Sequence, residues 1–390
     1  MSRRLTDSEK LRSFLIVTSS GVAIFAGINL YQGNERFYRE VAMPLARFVD
    51  PEKAHNLAVT ALKWDLIPRQ SNLEDGKLLR TTVWGLKFEN PLGMAAGFDK
   101  QGEVVKGLTK TGFGFVEIGS VTPKPQFGNP KPRVFRLVND NAIINRYGFN
   151  SEGHEAVWER LKALREDPTF DGIIGVNLGK NKISEDSSED YIEGIKKFSD
   201  VADYLVINVS SPNTAGLRNL QNKKNLEDLL CRVNEARKHM ERKPPLLLKL
   251  APDLSKEERK DIVEIVLKTK CKVDGLVLSN TTVSRENLVD SKKDETGGLS
   301  GAPLTDISTA MISEMYKATK GKIPIIGVGG IFSGQDAYEK IKAGASLIQI
   351  YTSYTYHGPP IVSKIKRELI DLLKANGHSS LDDAVGKSSL

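Results

Sequence analysis

Apolar positions fall into three regimes along this chain. Residues 13–34 carry no charged side chain, and the run FLIVTSSGVAIFAGINLY within them is close to the ~20 residues a helix needs to cross a bilayer. Thr18, Ser19, Ser20 and Asn29 lower its hydropathy. Arg3, Arg4, Lys10 and Arg12 precede it, as in a targeting or membrane-orienting segment, whereas Asp7 and Glu9 are unusual in a transit peptide. A signal peptide or a buried helix is the alternative, the former weakened by the lack of a clear small-x-small cleavage pattern.

The second regime, 35–68, predicts two short amphipathic helices broken by Pro44 and by Asp50-Pro51. Phe37, Val41, Leu45 and Phe48 recur at helical spacing, and Leu57, Val59, Ala61 and Leu62 follow. Such a pair either packs on the main domain or dips into lipid and admits an apolar substrate.

In the third regime, short apolar, β-branched runs alternate with helical stretches. Eight runs stand out: 92–98, 115–121, 173–179, 204–210, 246–251, 275–280, 324–330 and 347–352. Strands this uniformly apolar call for a parallel sheet covered on its faces. Eight of them predict a closed α/β barrel, the (β/α)8 TIM barrel, with a doubly wound open sheet as the alternative. VFRL and AIIN around the turn 139–141 predict a β-hairpin over the mouth, 82–93 a smaller hairpin at the opposite end, and 284–301 a long loop after the sixth strand. The expected layout is an anchor over 1–34, a helical pair over 35–68, a barrel over 69–376 and a tail over 377–390.

Composition adds exclusions. With 39% hydrophobic and 27% charged residues, the chain has the make-up of a globular protein with a large core. Its net charge of +7 comes from lysines and arginines interleaved with acids along helices, which favours solvated faces over nucleic-acid binding. Cys231 and Cys271 stand apart from any metal-ligand spacing and suggest neither a zinc site nor a disulfide framework, and the five histidines form no metal motif. No metal is expected.

Barrel chemistry collects at the carboxyl ends of the strands. Polar residues end these runs: Lys100, Ser120, Asn177, Asn208 with Ser211, Asn280 with Thr281, Gly329-Gly330, and Tyr351 with Thr352. GVGGIFSG offers backbone N–H groups to a phosphate, although glycines also serve ordinary tight turns. Lys249, inside LLLKLA, needs an anion such as a reduced flavin, unless it snorkels to the mouth. Pro212 fixes the turn that presents Ser211 and Asn213. The sequons at Asn208 and Asn280 lie at buried strand ends, which argues against glycosylation.

NVSSPNT (208–214), AAGFDK (95–100), INRYGFN (144–150), VNLGKN (176–181), KLAPDL (249–254), NTT (280–282), ETGGLSG (295–301), IIGVGG (325–330) and IQIYT (348–352) together resemble class 2, quinone-dependent dihydroorotate dehydrogenases, in the family's order, from about Glu35 to residue 375. The resemblance implies an FMN enzyme that oxidises dihydroorotate to orotate in pyrimidine biosynthesis. Ser211 would take the C5 proton, passing it to a water chain or a nearby hydroxyl, while hydride leaves C6 for the flavin. Substrate would be held by Lys100, Asn145, Tyr147, Gly148, Phe149, Asn208, Asn213, Asn280 and Thr281. FMN would be held by Ala95, Ala96, Ser120, Asn145, Asn177, Asn208, Lys249, Ser279, Gly301, Gly330, Tyr351 and Thr352. Position 279 is commonly threonine in relatives, and serine keeps the hydroxyl.

Soluble relatives carry cysteine where this chain has Ser211. Serine together with the amino-terminal helices implies ubiquinone as oxidant, reached through a tunnel past His55, Arg136 and Tyr351. The departure is Ala46-Arg47, where relatives often have glutamine; this leaves quinone-tail preference open. A single-pass anchor in the mitochondrial inner membrane is implied, with the catalytic domain facing the intermembrane space, although a bacterial membrane would suit the same features. Partners are the lipid membrane and the two substrates, with no nucleic acid and no obligatory protein. The competing expectations are another FMN barrel reducing pyrimidines or dienoates, and an inactive membrane-tethered scaffold.

Overall fold

The computed structural model describes residues 6–68 and 76–389. Arg3, Arg4 and the start of the expected barrel segment, 69–75, lie outside the described residues. The anchor is one helix, Asp7–Tyr31, opened by a capping box between Thr6 and Glu9 and with no buried residue. Its 25 residues extend about 37 Å at ~1.5 Å each, enough to cross a ~30 Å hydrocarbon core. Two of its polar residues are satisfied internally: Ser19 Oγ donates to the Ile16 carbonyl (3.1 Å) and Asn29 Nδ2 to that of Phe25 (2.9 Å).

Pro44 does not break the next helix as expected. Lacking an N–H, it is accommodated by a π-turn over Tyr38–Ala42, in which the Met43 N–H reaches back to the Tyr38 carbonyl. Asp50 then caps the second helix, Pro51–Lys63, by accepting the Lys53 N–H (3.0 Å). Leu45 and Phe48 face outward, Phe48 being 89% exposed, whereas Leu57 lines the larger cavity and Leu62 is buried against the barrel. The apolar stripe through Leu45 and Phe48 is therefore turned away from the main domain.

Strands β1 (Thr81–Val83) and β2 (Leu86–Phe88) form the small hairpin, and Trp84 at its turn donates from Nε1 to the Asp274 carbonyl (2.7 Å) at the amino end of the barrel. The remaining strands are β3 (Leu92–Met94), β4 (Phe115–Val121), β5 (Val134–Leu137), β6 (Ala142–Asn145), β7 (Ile173–Leu178), β8 (Tyr204–Asn208), β9 (Leu246–Leu250), β10 (Gly275–Leu278), β11 (Gly298–Gly301), β12 (Ile325–Val328) and β13 (Leu347–Ile350). All eight expected runs form one closed parallel barrel in the order β3-β4-β7-β8-β9-β10-β12-β13. Its lower interior is filled by Phe88, Phe115, Tyr204, Val206, Leu247, Val277, Ile326 and Leu347. A Cβ on Gly175 would overlap the Tyr204 ring, so glycine there makes room for the largest side chain of that layer.

Two further expectations need correction. The loop 284–301 ends in β11, which pairs antiparallel with β6, so the expected hairpin is a three-stranded sheet, β11-β6-β5. The glycines that made this stretch look like a loop permit close approach: a Cβ on Gly297 would strike the Asn145 carbonyl. The tail beyond 377 is docked, with Leu381 and Ala384 buried and the Leu381 N–H bonded to the Leu78 carbonyl (3.0 Å). Cys231 and Cys271, 40 residues apart, form a disulfide with Cα atoms 4.7 Å apart, because the helix Lys223–Lys238 packs on the turn Thr269–Cys271. Many surface charges pair across helices, as Lys223 does with Asp261 and Glu264 (both 2.7 Å).

Above the apolar floor lies a polar layer centred on Glu117 of β4, which is fully buried. Its Oε1 accepts from Asn177 Nδ2 (2.8 Å), and its Oε2 from Gln349 Nε2 (2.7 Å) and Tyr204 Oη (3.2 Å). Lys249 Nζ stands 4.0 Å from Oε1. Every neighbour donates, so only a carboxylate, an acceptor at both oxygens, satisfies the layer. Glu117→Gln sets an amide donor against one of these donors and is expected to destabilise the protein by about 1–3 kcal/mol in denaturant unfolding; stability equal to the parental value would show that the layer does not depend on the carboxylate.

Candidate active site

The polar strand ends converge where β4, β7, β8, β9 and β10 finish. Asn208, last in β8, lies beside Lys249 of β9 in the strand register. Its Nδ2 donates to Ser120 Oγ (2.9 Å) and Asn177 Oδ1 (3.2 Å), while its Oδ1 accepts from Asn280 Nδ2 (3.2 Å). Ser120 Oγ also donates to Asn177 Oδ1. The amides thus form a connected ring whose orientations are fixed by the acceptor Glu117 below. Burial pushes the Lys249 ammonium below its ordinary pKa, and the Glu117 carboxylate opposes that shift.

Two joined cavities open above this ring. The larger, about 540 Å³, is lined by Lys100, Asn145, Tyr147, Gly148, Phe149, Asn208, Ser211, Asn213, Asn280 and Thr281, every residue expected at the substrate. It continues past His55, Arg136 and Tyr351 to Ala46, Ala54 and Ala58 of the amino-terminal helices. The smaller, about 80 Å³, takes in Ala95, Ala96, Lys249, Ser279, Gly301, Gly330, Tyr351 and Thr352. Asn177 lines neither; it is buried behind Ser120 and Asn208 and acts on the site through them.

Ser211 is 8% exposed and follows β8 in a tight turn in which the Asn213 N–H donates to Ser211 Oγ (3.3 Å). Asn213 Nδ2 in turn donates to Asn145 Oδ1 (3.2 Å) on β6, tying the turn to the sheet over the mouth. Arg218 staples the same turn from outside, donating to the Ser210 carbonyl (3.0 Å) and the Thr281 carbonyl (2.9 Å) and pairing with Asp253 (2.8 Å). The serine is therefore held on a braced loop, as proton transfer at a fixed carbon requires.

Lys100 is a second cation of the site, half-buried at the mouth. Its Nζ donates to the Gly97 carbonyl (2.7 Å) and sits 4.2 Å above the Tyr147 ring centre. Burial first, and then Arg133, push its pKa down to about 7, against the pull of Glu52 and Asp99. His55 Nε2 lies 3.4 Å from Lys100 Nζ, and burial with this neighbouring charge keeps the imidazole well below its ordinary pKa. His55 is thus neutral at the junction between polar mouth and apolar channel. Arg136 donates to the carbonyls of Val49 (2.7 Å) and Arg47 (3.2 Å), pinning the helical pair to β5. At the departure from the family pattern, Ala46 lines the channel and Arg47 turns to the Tyr356 ring, 5.5 Å from its centre.

The cavities fit FMN. Gln349 Oε1 and Ser353 Oγ line the smaller one and are buried without a partner, as atoms awaiting a polar ligand would be. Gly330, which lines the same cavity, adopts φ +72°, and a Cβ there would run into Thr305, so only glycine lets the turn take this shape against the neighbouring helix. A buried cation, amide and hydroxyl donors and a glycine turn together suit a ligand with an anionic ring edge and a phosphate. Glu117 and Gln349 were absent from the sequence-based site, although a carboxylate inside FVEIGSV is the same signal that marked Lys249.

Comparison with known proteins agrees with this geometry. The family model for dihydroorotate dehydrogenase matches residues 78–373. The chain is 52% identical over 379 residues to the mitochondrial dihydroorotate dehydrogenase (quinone) of Mus musculus, covering 95% of each, and 50% identical over 374 residues to that of Oryza sativa, covering 89% of this chain and 79% of the relative. A crystal structure of DHODH from Eimeria tenella in complex with ferulenol superposes with a TM-score of 0.84 at 42% identity, covering 87% of this chain and 96% of that one. The chain belongs to the dihydroorotate dehydrogenase family, in its class 2, quinone-dependent branch.

Proposed function

We propose that the chain oxidises dihydroorotate to orotate with Ser211 as general base, and that the amino-terminal helices 35–68 conduct ubiquinone to the same site. FMN, when bound, accepts the hydride from C6 and passes the electrons on to ubiquinone. The observation that carries this reading is a single cavity running from Ser211, Lys100 and the asparagine ring to the apolar wall at Ala54 and Ala58.

Each residue has a definite task. Lys100 meets the substrate carboxylate, and the incoming anion raises the depressed pKa of its ammonium. Asn145, Asn208, Asn213 and Asn280 present amide donors and acceptors to the pyrimidine amide and imide, with Thr281 beside them. Tyr147, Gly148 and Phe149 wall the substrate from above. Ser211 Oγ, held in place by the Asn213 N–H, takes the C5 proton as its own hydroxyl proton passes to a water chain or a nearby hydroxyl. Lys249 carries positive charge to the flavin ring, Ser120 and Ser279 supply hydroxyls, and Asn177 orients Ser120 and Asn208. Ala95, Ala96, Gly301, Gly330, Tyr351 and Thr352 supply the close-approaching backbone and the phosphate end. His55, Arg136 and Tyr351 border the quinone path.

The chain is held at a mitochondrial membrane by its amino-terminal helix. We assign this to the inner membrane with the barrel in the intermembrane space, as the family resemblance implies; the basic residues Lys10 and Arg12 ahead of the span support a membrane-orienting amino terminus. In domain terms, residues 1–34 anchor, 35–68 conduct quinone, 69–376 bind FMN and substrate, and 377–390 close the base of the barrel.

Ser211→Ala is expected to keep its flavin yet reduce it with dihydroorotate at least about a hundredfold more slowly in stopped-flow absorbance; reduction at the parental rate would refute the base assignment. Ala58→Trp, filling the channel, is expected to lower quinone turnover about tenfold while flavin reduction by dihydroorotate changes by less than about twofold. Equal losses would mean that the helices serve folding instead.

A further inference from the structure

Lys340 sits in the helix Gly334–Ala343 with its side chain fully buried, although neither the family motifs nor the reaction requires a cation there. A buried ammonium is costly unless an anion or a full set of hydrogen bonds meets it. Among the described residues Lys340 has no ion-pair partner. Its Nζ donates to Ser308 Oγ (2.6 Å), Thr309 Oγ1 (2.9 Å) and the Thr305 carbonyl (3.2 Å), all neutral. Burial pushes the pKa of this ammonium down to about 7; Asp336 and Asp306 oppose that shift without contact, and Asp336 is itself engaged by the Phe332 N–H (2.9 Å) and Ser333 Oγ (2.8 Å).

The hydroxyls and the turn around this ammonium lead in one direction. Ser308 Oγ shares its proton with the carbonyls of Leu304 (2.8 Å) and Gly329 (2.9 Å). Thr305, whose carbonyl receives Lys340, donates from Oγ1 to the Gly330 carbonyl (2.8 Å). The peptide units whose carbonyls are held in this way carry their N–H groups at Gly330 and Ile331, and both residues line the smaller cavity. Donors on a carbonyl polarise its peptide and strengthen the N–H opposite. The Lys340 amine therefore stands behind both glycines, connected to the turn through Ser308 by short hydrogen bonds, and an anion bound at the turn would favour its charged form.

We propose that Lys340 is a positioning residue for the FMN phosphate, supplying a buried counter-charge that acts on the phosphate end of the flavin through Ser308, Thr305 and the Gly329-Gly330 turn. The inference rests on the FMN reading above. It accounts for a buried cation with no acid of its own, because the balancing anion is the ligand. A purely structural knot between helices would treat every flavin alike, whereas a charge aimed at the phosphate distinguishes FMN from riboflavin, which shares the ring and ribityl chain and lacks the phosphate.

The test uses purified chain stripped of flavin and titrated separately with FMN and with riboflavin by flavin fluorescence. Lys340→Met, close in length and neutral, is expected to weaken FMN binding about tenfold while riboflavin changes by less than about twofold, and Lys340→Arg to recover much of the preference for FMN. Equal weakening of both flavins, or of neither, would overturn the proposal. If Lys340→Met does not fold, Ser308→Ala decides the matter: it leaves the charge in place and cuts the link to Gly329, and it should lose FMN selectively, by about threefold. No selective loss in Ser308→Ala would then overturn it. Parental protein that binds neither flavin would instead refute the FMN reading itself.

Discussion

The site depends on one buried contact, the Glu117 carboxylate facing the Lys249 ammonium at 4.0 Å in the upper barrel. Neither charge would be tolerated there alone. Together they set a direction for everything above them: Glu117 accepts at both oxygens, which fixes the donor end of the Asn177 amide. Asn177 then presents its oxygen to Ser120 and Asn208, and Asn208 in turn receives Asn280. A ring of amides is given one orientation by a buried carboxylate beneath it. Lys249, held by the same carboxylate, is left facing the cavity.

The second constraint is that polar and apolar chemistry share one cavity. Lys100 and neutral His55 mark the border, with the ammonium over the Tyr147 ring and the imidazole among Phe98 and Tyr351. Substrate enters a region rich in amides and cations, whereas the helical wall offers alanines and a methionine. The outward-facing Leu45 and Phe48 put apolar surface on the far side of the same helices, beside a membrane-spanning anchor. The proposed path of ubiquinone follows this apolar wall from the lipid side, at the end of the cavity away from Ser211 and the asparagines.

Much of this was legible in the residues. The eight barrel strands are continuous apolar runs because each is buried on both faces, and the strand-end polar residues stood out against them. What escaped depended on contacts between distant segments. Strand β11 is hidden by glycines that serve close packing, and the disulfide joins cysteines 40 residues apart. Pro44 reads as a helix break, yet a π-turn supplies the alternative hydrogen bond. Glu117 gave the same signal as Lys249, a charge within an apolar strand, but its meaning emerges only when Asn177, Tyr204 and Gln349 arrive from three other strands. Lys340 is the extreme case, since a lysine in an amphipathic helix looks solvated until the helix is packed.

Anaerobic mixing of the purified chain with dihydroorotate, followed by ubiquinone, addresses the account most directly. The flavin's visible absorbance should bleach on the first addition, with orotate formed in equal amount, and return on the second. A colourless protein, or a bound flavin whose spectrum dihydroorotate leaves unchanged, would contradict it.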